Sequence, residues 1–217
     1  MSTKRKIPNQ QEKVLDKLSY YVSVVRYDWA TYLALYTDTT TLEILKRAAP
    51  PFFSTMRERL RDGVLLSLAR LFDTQMNTKQ DNLTLYSVVE RLKVFADPTF
   101  ILQIEESIKE ASLQAEPIRW ERHQRIAHLD VATVLEPKIR GDVSHEQIES
   151  LLGKIEAIVD QIYLELCGAT YFRSVYTRMA NLHVEQLVKK LAVVLAMDKN
   201  ELDKRLSQLE TSYSTSE

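Results

Sequence analysis

The sequence predicts an all-α protein, a single-domain helical bundle of about seven to eight helices. Three observations lead there. Glycine occurs 4 times and proline 6 times in 217 residues, far too rarely for the tight turns of a sandwich, barrel or doubly wound sheet. Apolar residues make up 45% and charged residues 27%, an ordinary globular balance with enough material for a sizeable core. Apolar positions also recur at steps of three and four along most of the chain, the period of a helix with one buried face.

Val14, Leu18, Tyr21, Val25, Trp29, Tyr32 and Tyr36 lay one such stripe along a long first helix that frames the bundle. Aromatic residues at this spacing are read as core or dimer packing in preference to base stacking. Thr40 with Glu43 forms a box-like start for a short second helix, which stops at Pro50 and Pro51. A third helix of about 22 residues follows from the uninterrupted period, with Leu60, Val64, Leu68, Leu71 and Phe72 inward and Arg59, Gly63, Ser67, Arg70 and Thr74 on a small or polar strip.

Asp81 is expected to cap a helix carrying Leu85, Val88, Val89 and Leu92. Asp97 and Pro98 make a cap and first turn for the next, where Ile101, Ile104, Ile108, Ala111 and Ala115 keep the helical step. Pro117 then either kinks that helix or opens a new one through Ile118, Trp120 and Ile126. Residues 130–143 read as a connection. Ser144 with Gln147 is a second box-like start, leading into Ile148, Leu151, Leu152, Ile155, Val159, Ile162 and Leu166. Helices around 180–197 and 199–209 complete the set. Residues 1–9 are expected as a flexible basic tail, 10–209 as the helical domain and 210–217 as a flexible C-terminal tail.

Lysine and arginine number 29 against 30 acidic residues, so no global positive field draws the chain to nucleic acid or membranes, and a polyanion site must be local. The single cysteine, Cys167, excludes an internal disulfide framework and a multi-cysteine zinc site, and reads as a small buried residue. The basic N-terminus lacks the apolar run of a secretion signal, and no apolar run approaches the roughly 20 residues of a membrane span. A soluble, cytoplasmic protein is expected.

A phosphate-binding glycine loop, a glycine-flanked serine elbow and a His-Glu-x-x-His zinc helix are all missing from the sequence, so neither cofactor nor metal is expected. Acid–base chemistry near neutral pH then falls to imidazole. The segment from Arg119 to Asp130 holds His123 and His128 among Arg119, Arg122 and Arg125, the densest basic and imidazole cluster in the chain. Two further arginine–histidine pairs with similar spacing, Arg140 with His145 and Arg178 with His183, are read as structural or surface groups.

Arg122, followed by His123 and, after five intervening residues, His128, resembles the motif of the HEPN superfamily, helical proteins many of which are metal-independent ribonucleases. The fuller strings Arg-Ile-Ala-His-Leu-Asp (125–130) and Leu-Leu-Ser-Leu-Ala-Arg-Leu-Phe-Asp (65–73) resemble the abortive-infection, AbiU-type branch, with a compatible helix order across most of residues 10–200. The resemblance implies a HEPN-like core and an endoribonuclease acting as a toxin or antiphage effector on RNA. It implies Arg122 and His128 as catalytic residues and a homodimer in which two protomers share one cleft. His123 and Arg125 are candidates for flanking phosphates and Asp130 for orienting His128, while Arg70 and Asp73 are expected as a buried supporting pair. Some HEPN toxins carry a tyrosine two residues after the histidine, where a partner nucleotidyltransferase adds AMP. Here that position is Asp130, so that control does not transfer, although a neutralising partner protein is compatible.

On a regular helix six steps of about 100° leave Arg122 and His128 about 120° apart. Either the helix is distorted after Pro117, or two chains pack by twofold symmetry; the resemblance favours the second. The competing reading is a noncatalytic interaction or regulatory protein that keeps the fold while binding a nucleotide, RNA or protein partner.

Overall fold

The structure, a computed structural model, describes residues 7–73, 82–123, 143–170 and 173–197. Among them are eight helices and no strand, as the glycine shortage and helical period require. They are α1 (Asn9–Tyr36), α2 (Thr39–Ala48), α3 (Pro50–Arg70), α4 (Leu85–Leu92), α5 (Pro98–Gln114), α6 (Glu116–Glu121), α7 (His145–Cys167) and α8 (Arg173–Ala196).

α1 is the central post, packing against α2, α3, α4, α7 and α8. Leu18, Val25, Trp29, Tyr32 and Tyr36 are buried, and Val14 and Tyr21 pack at the edge of the same core. Tyr32 stacks on Trp29, their ring centroids 5.2 Å apart, so the stripe is packing and not an open base platform. Ile7 is buried and α1 begins at Asn9, which draws the end of the expected basic tail into the bundle.

Local chemistry explains the helix limits. Asp38, not Thr40, caps α2: its carboxylate accepts from the Thr41 backbone N–H at 2.7 Å, starting the helix before the expected box. α2 ends at Ala48 and α3 starts on Pro50, because proline suits a first turn that needs no N–H. α4 is capped by Thr84, whose hydroxyl accepts from Ser87 N–H while the Ser87 hydroxyl accepts from Thr84 N–H. The expected cap, Asp81, lies outside the described residues.

Asp97 caps α5 as expected, accepting from Thr99 N–H at 2.8 Å, and Ile101, Ile104, Ile108, Ala111 and Ala115 are buried. Pro117 opens a new helix: Ala115 ends α5 and precedes α6, which carries the proline in its first turn. The Ser144–Gln147 box forms in both directions, and all seven apolar positions read for α7 are buried. That helix stops at Gly168 with φ 65°, a left-handed cap that a side chain would strain. α8 starts seven residues before the expected 180. The helix expected over 199–209, the connection before Val143 and the C-terminal tail lie outside the described residues.

Candidate functional site

Arg122 stands where α6 meets the end of α3. α6 has only 6 residues, and beyond Glu121 the backbone widens into a π-type turn at Arg122 and His123. Just past α3, Leu71 and Phe72 are buried, and Leu71 accepts from Leu85 N–H at 3.0 Å. These anchors hold Asp73, which closes a turn through its N–H to Arg70 O at 3.2 Å.

Arg122 Nη1 donates to both carboxylate oxygens of Asp73, at 2.8 and 3.0 Å. The two side chains retain 25% and 35% of their exposure, so the pair is part-exposed. Asp73 occupies one nitrogen of a fork that carries five N–H donors. Arg70 is exposed, which corrects the expected buried Arg70–Asp73 pairing: α3 has ended by Asp73, and the turn delivers that carboxylate to Arg122. His123 is also exposed. His128, Arg125 and Asp130 lie outside the described residues.

Beside this pair the sequence reading missed a second tie between α3 and α6. Arg61 Nη1 donates to Glu121 Oε1 at 2.6 Å and Nη2 to the Val143 carbonyl at 3.1 Å. Its far side borders a cavity of about 510 Å³ whose wall includes Tyr32, Arg57, Asp62 and His145. His145, read from the sequence as a structural or surface group, is not fully exposed. It lies half-buried, edge-on to Trp29 and Tyr32 with both centroids 5.4 Å away. His183 is exposed and hydrogen-bonded with Tyr27 Oη at 2.9 Å, and Arg178 is exposed.

A third constellation, also missed, lies between α1 and α7, where Arg26, Glu149 and Glu156 border a cavity of about 620 Å³. Arg26 Nε and Nη2 donate to the two oxygens of Glu156, both at 2.8 Å, and Nη1 donates to Glu149 at 2.7 Å. Trp29 Nε1 donates to the other Glu149 oxygen at 2.8 Å. Arg26 and Glu156 are only 9% and 4% exposed. Burial pulls the Arg26 pKa down most strongly, but the hydrogen bonds and charges of Glu156 and then Glu149 outweigh it, leaving the pKa above its ordinary value. A charged residue on the inner face of each helix was the available signal: Arg26 lies one turn from Val22 and Ala30, and Glu156 one residue after Ile155 and three before Val159.

Among the described residues, no three His, Cys, Asp or Glu side chains are grouped to hold a metal ion, and no helix is long and apolar enough to cross a membrane. Cys167 is half-buried against the core. The AbiU2 family model, HEPN_AbiU2, matches residues 12–190. No curated protein and no solved structure matches the chain.

Proposed function

We propose, since the chain belongs to the AbiU2 family of the HEPN superfamily, that it is a metal-independent endoribonuclease of abortive infection, working through Arg122 and His128 at a cleft between two copies. The observation that carries this reading is Arg122 itself. It lies within the matched span, part-exposed, with Asp73 fixing the guanidinium through Nη1. A guanidinium held on one corner is oriented while its planar edge remains suited to two phosphate oxygens.

Cleavage without a metal requires the ribose 2′-OH to lose a proton as its oxygen attacks phosphorus, and the departing 5′-oxygen to gain one. The P–O5′ bond breaks, leaving a 2′,3′-cyclic phosphate on one fragment and a 5′-hydroxyl on the other. Imidazole with an ordinary pKa of about 6.5 can exchange protons near neutrality, which is the role proposed for His128. Arg122 stays cationic and neutralises the charge growing on the phosphate. His123 and Arg125 would contact flanking phosphates, and a neutralising partner protein would restrain the activity. The shared cleft rests on the family resemblance.

The test is cleavage of total RNA by purified protein in EDTA, with product ends identified. Cyclic phosphate ends and retained activity are expected. Loss of cleavage on chelation would overturn metal independence. Mixing Arg122→Ala with His128→Ala chains tests the shared cleft: restored cleavage in the mixed dimer is expected, and a fully active monomer would overturn it.

A further inference from the structure

The two ties between α3 and α6 run in opposite senses. At one, α3 supplies the guanidinium and α6 the carboxylate, Arg61 with Glu121; at the other, Asp73 just beyond α3 receives Arg122 just beyond α6. Their α3-side residues are about three turns apart along the chain. Glu121 and Arg122 are consecutive, so the two ties grip adjacent residues.

From this arrangement we infer that Arg61 is a positioning residue for Arg122, holding the end of α6 so that the Arg122 guanidinium meets the phosphate at a fixed angle; the inference rests on the ribonuclease reading. The Arg61 side chain is 17% exposed and that of Glu121 8%, so water competes little for this pair. The same planar guanidinium also takes the Val143 carbonyl, and Val143 is buried immediately before Ser144, the cap of α7. One rigid fork therefore ties the end of α6 to the start of α7 and to α3. A helix of 6 residues has too few internal hydrogen bonds to hold its own end. The direction in which the chain leaves Glu121, and hence the origin of the Arg122 side chain, is set by this clasp. A misplacement of about 1 Å at a reacting group costs on the order of 100-fold in rate.

Two variants test it in the full-length chain. Arg61→Lys keeps a positive charge beside Glu121 but replaces the planar fork with a point cation. Arg61→Met combined with Glu121→Gln removes both charges together and strands neither. Folding is checked by circular dichroism and thermal melting, and RNA cleavage is measured across substrate concentration. Both variants are expected to fold, to lose about 10- to 100-fold in kcat, and to keep KM within about twofold, because RNA is still bound while transition-state charge is met less well. Wild-type kcat in the folded double variant, or a fall carried by KM instead, would overturn the positioning role. Should the double variant misfold, the lysine variant decides by the same criteria. If wild type cuts RNA and the folded variants cut equally fast, only the clasp fails. If wild type leaves RNA intact, the ribonuclease reading fails and the inference with it.

Discussion

Arg26 and Arg122 are both guanidiniums paired with carboxylates from distant parts of the chain, yet their surroundings divide them. Arg26 spends Nε, Nη1 and Nη2 on buried Glu156 and exposed Glu149 between α1 and α7, whereas Asp73 engages the part-exposed Arg122 through Nη1. The first arrangement has its charge answered by two glutamates of the protein. The second holds a cation by one nitrogen and leaves it part-exposed. Charge and residue type alone do not mark a site here; the difference lies in how much of the fork the protein consumes.

The largest effect should come from the buried member. Arg26→Met leaves Glu156 ionised and without its bidentate partner in the core, a change expected to destabilise by about 3–5 kcal/mol in urea unfolding. Adding Glu156→Leu should recover most of that loss, because apolar replacement of a complete buried pair is often neutral. No loss in the single variant would erase the contrast. Arg122→Ala is expected to behave oppositely. Cleavage should fall by about 100- to 1000-fold, the scale of losing one preorganised transition-state donor, while stability changes by about 1 kcal/mol or less, as for a part-exposed pair.

Isosteric neutralisation sharpens the comparison. Asp73→Asn should cost under about 1 kcal/mol, and Glu156→Gln roughly 2 kcal/mol, since a charged hydrogen-bond acceptor is lost at a side chain that is only 4% exposed. Equal costs would mean the two regions are electrostatically alike. Smaller still, Ser144→Ala should cost about 1 kcal/mol by removing one half of the cap of α7. Because Glu149 lies near that end and Glu156 two turns further in, hydrogen exchange should rise around Glu149 and hardly at all around Glu156.

The sequence displayed the parts of this fold governed by neighbours within one turn. The α1 stripe, the Asp97–Pro98 start and the Ser144–Gln147 box depend on residues no more than four apart, so local pattern alone identifies them. The α4 cap was missed because Ser87 closes the box where glutamate or glutamine is the usual signal. The beginning of α8 escaped because Val175 and Met179 are exposed, so its first turns carry apolar residues on a face the core does not use. Arg26–Glu156 and Arg61–Glu121 join residues 130 and 60 positions apart, beyond any local period. For the candidate site, spacing and resemblance selected Arg122, but its pairing with Asp73, in place of Arg70 with Asp73, needed the turn after α3.

The most direct measurement is total RNA integrity and growth after induced expression of wild type, Arg122→Ala and His128→Ala, with each protein shown to be folded and dimeric. RNA breakdown and growth arrest with wild type alone is the outcome expected from a part-exposed guanidinium working with imidazole. Identical RNA profiles and growth in all three would contradict it.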